Sequence, residues 1–188
     1  MNSKTPWENL HWALGIGVIL AAIVLIISGH FKALADSTFW AFLFRVIHIW
    51  SGILWIGLLY YFNFVQIPSM PKIPDEQKPA ISKVIAPSAL FFFRWGAAST
   101  VLFGLITMTY NKSWNNTPVA IGMLLGLIMA YNVWFIIWPN QKKALGIVTV
   151  TPEEKAKAAR LAMLTSRVNT MLSIPMLFCM VAQQNAGL

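Results

Sequence analysis

Residues 10–29 read LHWALGIGVILAAIVLIISG, an apolar run without a single Asp, Glu, Lys or Arg. Four further mainly apolar runs follow, at residues 39–65, 89–110, 118–138 and 163–182. A helix that crosses the hydrocarbon core of a membrane needs about 20 mainly apolar residues. The sequence therefore predicts an all-α fold, a polytopic transmembrane helix bundle with about five spans.

The composition supports the same fold class. Of the 188 residues, 57% are hydrophobic and 11% are charged, whereas a soluble domain carries about 25% charged residues. Lipid is needed to cover much of such a chain, so residues 1–188 are predicted to form a single integral-membrane helical domain. The first run is longer than the apolar part of a signal peptide, about 7–15 residues, and we expect it to be retained.

The basic residues predict the orientation. With five spans, the amino terminus and the second and fourth connections share one side, which holds nine Lys and Arg residues against two on the other. The nine are Lys4, Lys72, Lys78, Lys83, Lys142, Lys143, Lys155, Lys157 and Arg160. Cytoplasmic loops carry the excess of positive charge. We expect a bacterial inner (cytoplasmic) membrane protein with its amino terminus in the cytoplasm and its carboxyl terminus in the periplasm. Topology then explains the net charge of +8, and no nucleic-acid partner is predicted.

Two of the connections on the cytoplasmic side are long. Residues 66–88 contain five prolines, which predicts an extended loop with one short helix. Residues 151–162 predict a helix that runs straight into the fifth span. Thr151 has the chemistry of an N-cap there, and Pro152 suits the first helical position.

Three arginines lie within the predicted spans: Arg45, Arg94 and Arg167. The spans contain no carboxylate, and a charged side chain at the centre of a membrane is costly. An anionic substrate, a haem propionate, a lipid phosphate or a partner subunit could neutralise these arginines. The alternative is that they snorkel to the interface or make structural hydrogen bonds.

His48 is the only histidine well inside a predicted span. Arg45, His48, Gly52 and Trp55 follow at spacings of three, four and three, so they share one helix face. A neutral imidazole there could ligate haem iron, relay a proton or hydrogen-bond a neighbouring helix. His30 lies in the same predicted half of the membrane and is a second candidate cofactor ligand.

The fifth span is the least apolar and is interrupted by Pro175, which frees a backbone carbonyl near Thr170 and Met171. Asn169 and Ser173 face the same way. They are predicted to satisfy that carbonyl or to contact a polar ligand.

Two stretches carry a family resemblance. Residues 44–63 read FRVIHIWSGILWIGLLYYFN, and residues 166–180 read SRVNTMLSIPMLFCM. With NVW at 132–134 and WPNQK at 138–142, they resemble the membrane domain of the bacterial membrane-bound urate hydroxylases, or urate oxidases. The resemblance spans roughly residues 39–182.

The resemblance implies an integral-membrane oxidoreductase that hydroxylates urate to 5-hydroxyisourate. Family members pass the electrons to a cytochrome c domain that follows the membrane domain. Urate is an anion, which suits the unpaired arginines. His48, as ligand to a metal such as the iron of a b-type haem, would form the redox centre. Arg45, Arg167 and Asn169 would join it in catalysis, and Arg94 and His30 would join it in binding the cofactor.

The sequence departs from the family in two ways. It has one cysteine and no CxxCH motif, so covalent haem c is not expected, and no cytochrome domain follows the last span. The tail Gln183-Gln184-Asn185 also lacks a histidine that the family leads us to expect. The predicted function is a urate hydroxylase-like membrane redox subunit. Its expected partners are the lipid bilayer and either a separate cytochrome c or partner membrane subunits. The alternatives are a non-catalytic accessory subunit of a larger electron-transfer complex and a small anion transporter or channel.

Overall fold

The computed structural model describes residues 5–29 and 36–185, and this part of the chain is helical and contains no β-strand. It contains five helices that are long and apolar enough to cross a membrane. The predicted fold class, all-α with about five spans, is therefore confirmed. The helices α1 to α5 are Leu10–Ile27, Ser37–Lys72, Lys78–Tyr110, Thr117–Ala144 and Pro152–Asn185.

Contacts between residues divide the chain into two compact units, Met1–Leu43 and Phe44–Leu188. In the first unit, Asn9 caps α1 by accepting the backbone N–H of His11 at 3.0 Å. None of the α1 residues is buried, and Ile27 is 80% exposed. A helix with such an apolar exterior needs lipid or another apolar surface around it.

The prediction of an extended loop over residues 66–88 is wrong. Helix α2 continues to Lys72 and α3 begins at Lys78, so only residues 73–77 connect them. In this connection Asp75 pairs with Lys78, and the ammonium group holds the pKa of the carboxyl below its usual value.

The helices accommodate prolines through π-helical turns, and this explains the error. A π-helical segment ends two residues before a proline in three helices: Tyr61–Gln66 before Pro68, Ile81–Ile85 before Pro87, and Asn132–Ile137 before Pro139. The residue preceding each proline donates its N–H to the carbonyl five residues back. A proline ring clashes with the carbonyl four residues back in a regular α-helix, and the wider π turn relieves that clash.

The amino terminus of α5 agrees with the sequence prediction. The backbone N–H of Glu154 donates to Thr151 Oγ1, and the Glu154 carboxylate accepts the N–H of Thr151, both at 3.2 Å. This reciprocal capping box begins one uninterrupted helix that includes Pro175. Ser173 Oγ donates to the Thr170 carbonyl at 2.7 Å, whereas Asn169 bonds to Asn132 and Met129 of α4.

Within the second unit, α2 from Phe44 onward packs with α3, α4 and α5. Gly96 of α3 allows close approach to α2, because a Cβ atom there would lie 3.4 Å from the backbone nitrogen of Trp55. The rings of Phe62 and Phe93 meet edge to face at a centroid distance of 5.5 Å. Helix α4 packs along α5, where a Cβ on Gly122 would approach Cys179 at 3.1 Å. This packing positions the polar groups described next.

Candidate functional site

A cavity of about 620 Å³ lies among α2, α3, α4 and α5. Its walls are mainly apolar and include several glycines. Arg45 and His48 line one end of it, together with Thr107 and Asn111 of α3. A largely apolar cavity with a few converging polar groups is the usual form of a small-molecule site.

One hydrogen bond shows which nitrogen of the His48 ring carries the hydrogen. His48 Nδ1 lies 2.8 Å from the backbone carbonyl oxygen of Thr100. A carbonyl oxygen only accepts, so Nδ1 must carry the hydrogen and donate. In the neutral ring, Nε2 then holds a free lone pair that can accept a proton, accept a hydrogen bond or ligate a metal.

Gly104 makes room for this ring. A Cβ atom on Gly104 would lie 2.9 Å from His48 Cε1 and 3.0 Å from Nδ1, closer than real Cβ contacts. Gly52, one turn beyond His48 on α2, has Thr100 Cγ2 as its near neighbour. The orientation of His48 therefore depends on α3 as much as on its own helix.

The cavity is elongated. Arg45 and Tyr60 both line it, and fifteen residues of α-helix correspond to a rise of about 22 Å. Trp55 lies toward the Tyr60 end and is 1% exposed. Its indole Nε1 has no acceptor among the residues that the structure describes.

A second set of polar side chains lies in the same helices, outside the cavity lining. We call Asn63, Asn132, Ser166 and Asn169 the polar layer. Asn132 Nδ2 donates to Asn169 Oδ1 at 2.8 Å, and Asn169 Nδ2 donates to the Met129 carbonyl at 2.9 Å. Asn63 Nδ2 donates to Ser166 Oγ at 2.8 Å, although Asn63 Oδ1 has no donor within the described part of the chain. These groups mainly satisfy one another and tie α5 to α2 and α4.

The remaining predicted site residues lie elsewhere. Arg94 stacks on Trp138 with its guanidinium carbon 3.4 Å from the ring centroid, and its Nη1 is buried without an acceptor in the described residues. Arg167 is exposed on α5. His30 lies in residues 30–35, outside the described part of the chain.

The structure thus brings together Arg45 and His48 at one cavity and separates them from Arg94, Arg167 and Asn169. Within residues 5–29 and 36–185, no three His, Cys, Asp or Glu side chains form a group that could hold a metal ion. A metal at His48 would therefore have to bring other ligands with it, as haem iron brings its porphyrin nitrogens.

The comparison with known families concerns α3, α4 and α5, which line the cavity together with α2. Residues 97–186 match the family described as urate oxidase N-terminal. The match includes Thr100, Gly104 and all of α4, and it covers the predicted motif at 166–180. It confirms the resemblance inferred from the sequence and supports a role related to urate hydroxylation.

The match to the urate oxidase N-terminal family begins after α2, so the motif at 44–63, with Arg45 and His48, lies outside it. No curated protein and no solved structure matches the chain. The roles of Arg45 and His48 therefore depend on the geometry of the cavity itself.

Sequence reasoning did not find Thr100 and Gly104, the two α3 residues that hold His48. Their only sequence signal is a small residue followed by another at four-residue spacing, which is common in helices that pack closely. Nothing in the sequence indicates which histidine such a pair would face.

Proposed function

We propose that this chain is a urate hydroxylase-like redox subunit of a bacterial inner membrane that works with a separate electron carrier. The observation that supports it best is the pairing of Arg45 and His48 at one end of a mainly apolar cavity. A cation and a nitrogen lone pair in such a cavity suit a flat anion that carries N–H groups. Urate is an anion of this kind.

The spacing of the two groups fits a ligand of this size. Arg45 and His48 are one turn apart on α2, which gives a rise of about 4.5 Å between them. Arg45 forms no ion pair with any carboxylate in the described residues, so its charge is available to a ligand. Gly52, between His48 and Trp55 on α2, lines the same cavity.

The chemistry assigns a different task to each residue. Hydroxylation of urate forms a bond between its C5 atom and a water oxygen, and releases two protons and two electrons. His48 Nε2 would take one of these protons as general base, a role that typically accelerates a reaction by about 10²–10⁴. Arg45 would bind and orient the anion through charge-assisted hydrogen bonds. The electrons leave to the separate carrier.

A b-type haem is a second candidate occupant of the same end. A histidine that ligates a metal usually donates its other ring N–H to a carbonyl or carboxylate, as His48 does to Thr100. His48 would hold the iron through Nε2, and Arg45 would neutralise a propionate. When bound, the haem would supply a one-electron carrier.

The proposal is tested with protein purified in detergent, urate and a soluble electron-accepting dye. We expect urate-dependent reduction of the dye, and a loss of this activity in His48→Asn. Asparagine keeps an N–H for the Thr100 carbonyl and removes the Nε2 lone pair. Folded wild-type protein that reduces no dye would contradict the enzymatic role and leave the accessory-subunit alternative. A spectrum without a Soret band would exclude haem.

A further inference from the structure

The cavity is longer than a purine anion needs. Arg45 and His48 lie at one end, and the cavity extends along α2 as far as Tyr60, a rise of about 22 Å from Arg45. The three hydroxyl groups of its wall already have partners within the protein, which are Ser173 for Tyr60, Gly96 for Thr100 and Phe103 for Thr107. Away from the Arg45 end, the wall therefore presents mainly hydrocarbon to a ligand.

The polar groups at the Arg45 end are open to a ligand. In the described residues, Arg45 forms no ion pair. Neither Arg45 nor His48 is among the described residues with a buried polar atom that lacks a partner. The guanidinium group and His48 Nε2 are therefore accessible at the cavity. A cation within a membrane span is costly unless it is paired, so the ligand at this end should carry negative charge.

The long side of the cavity is apolar and open. Ile49 and Ile53 of α2 and Leu177 and Val181 of α5 line it, yet they remain between 39% and 66% exposed. Both helices are long and apolar enough to cross a membrane. In a bilayer this opening faces the acyl chains of the lipid, so an apolar chain can enter without crossing a polar rim.

Methionines form another part of the wall. Met108, Met123, Met176 and Met180 line the cavity from α3, α4 and α5. Methionine is unbranched and flexible, and it is frequent at surfaces that accept apolar ligands of variable shape. Such a wall suits a flexible chain.

The length of the cavity agrees with that of a lipid chain. The hydrocarbon core of a bilayer is about 30 Å thick, so the chains of one leaflet span about 15 Å. A charged head at Arg45 and a chain of that length together fill most of the rise to Tyr60. We propose that the cavity binds a long-chain fatty acid, with its carboxylate at Arg45 and its chain extending toward Tyr60.

The abrupt change from a polar to an apolar wall favours a fatty acid over a phospholipid. Along α2, the cavity residues that follow Arg45 and His48 are Ile49, Gly52 and Ile53. In a fatty acid the hydrocarbon begins next to the carboxylate, whereas a phospholipid has ester groups between its phosphate and its chains. Apolar side chains offer those ester oxygens no hydrogen-bond donor.

This inference goes beyond the proposed function, because fatty-acid binding needs no urate oxidation. The two ligands would share Arg45, so each should exclude the other. A fatty acid from the surrounding lipid would then act as a competitive inhibitor of urate.

The test measures the binding of tritiated palmitate to protein purified in a neutral detergent. Arg45→Gln should bind palmitate about 10–100 times more weakly than wild type, the scale of a lost hydrogen bond to a charged group. Arg167→Gln is the control, because Arg167 is exposed and outside the cavity lining, and it should bind palmitate as wild type does. Equal affinity in Arg45→Gln and wild type, or no binding by wild type, would overturn the inference.

A second variant tests the apolar part of the cavity and guards against misfolding of Arg45→Gln. Gly126 lines the cavity, Gly17 of α1 does not, and neither has anything within 4 Å of a Cβ position. Gly126→Leu should weaken palmitate binding about tenfold, the effect of about two methylene groups excluded from the cavity. Gly17→Leu should bind palmitate as wild type does. Unchanged affinity in folded Gly126→Leu would overturn the inference.

Unlabelled competitors identify the head group. Hexadecanol has the same chain as palmitate without the charge, and it should displace the label much more weakly than palmitate does. Equal displacement by hexadecanol, or stronger displacement by phosphatidylglycerol, would overturn the assignment to a fatty acid.

Urate binding separates this inference from the proposed function. Palmitate binding that depends on Arg45, in protein that neither binds nor oxidises urate, would keep the fatty-acid site and remove the urate proposal. Urate binding by protein that binds no palmitate would do the reverse. If both ligands bind, palmitate should raise the apparent Kd for urate, and an unchanged Kd would overturn the placement of the carboxylate at Arg45.

Discussion

The cavity and the polar layer lie in the same helices but differ in how their polar groups are satisfied. In the polar layer, Asn132 and Asn169 bond to each other across α4 and α5. At the cavity, His48 uses one ring nitrogen for Thr100 and leaves the other free. Within the described residues the polar layer leaves Asn63 Oδ1 unpaired, whereas the cavity keeps the Arg45 cation and the second ring nitrogen of His48 for a ligand. Because Asn63 Oδ1 and Arg94 Nη1 are also unpaired but lie outside the cavity lining, an unpaired group indicates a binding site only where it borders the cavity.

The largest expected effect is the loss of activity in His48→Asn. Because Nε2 is removed while the bond to Thr100 is kept, urate oxidation with a dye should fall by about 100-fold. Thermal unfolding in detergent should stay within about 2 °C of wild type. An active His48→Asn protein would show that His48, like the residues of the polar layer, has a purely structural role.

Asn169→Ala should have the reverse pattern. It removes the acceptor of the Asn132 amide and one donor to the Met129 carbonyl, which keeps the backbone N–H of Asn132, in a buried part of the bundle. We expect a loss of about 2 kcal/mol of stability and a fall in Tm of about 4–8 °C. Activity per folded molecule should be unchanged.

Asn140→Ala is the matched control for Asn169→Ala, because the Asn140 amide donates only to Ile136 of its own helix. Its Tm should stay near that of wild type. Loss of activity in Asn169→Ala without loss of stability would instead support the catalytic role that the sequence predicts for Asn169.

Gly104→Ala tests whether the orientation of His48 matters. The added methyl group would clash with the His48 ring and displace it, and we expect about a tenfold loss of urate oxidation. Gly126→Ala is the control, since it adds a methyl group to the same cavity with nothing within 4 Å. Equal rates in the two variants would show that ring orientation is unimportant.

Tyr60→Phe probes the boundary between the two regions and should have the smallest effect. The Tyr60 side chain lines the cavity, but its hydroxyl pairs with Ser173 Oγ at 2.9 Å. Removing the hydroxyl should cost about 1 kcal/mol of stability. The rate of urate oxidation should not change, and a lower rate would show that the Tyr60 hydroxyl contributes to the reaction.

The sequence predicts the helices well because apolar length and capping are local properties. The apolar runs locate all five helices, and Thr151 and Pro152 locate the start of α5. Residues 66–88 were predicted wrongly because proline was treated as a helix breaker, whereas π turns accommodate Pro68 and Pro87.

The candidate site is predicted only in part, because the sequence again indicates only local properties such as spacing along one helix. Helical spacing places Arg45 and His48 on one face, and the structure places both at the cavity. Spacing along one helix cannot predict contacts with other helices. Asn169 hydrogen-bonds Asn132, and Arg94 stacks on Trp138, only because the helices pack together. Spacing within one helix cannot tell a free polar group from a satisfied one.

Equilibrium binding of urate to the purified protein tests the central claim most directly. Arg45→Gln removes the cavity cation, and Arg167→Gln is a matched control because Arg167 is exposed and outside the cavity lining. Wild type and Arg167→Gln should bind urate alike. Arg45→Gln should bind it about 10–100 times more weakly, the scale of a hydrogen bond to a charged group. Equal binding by all three proteins, or none by wild type, would contradict the assignment of the cavity as the urate site.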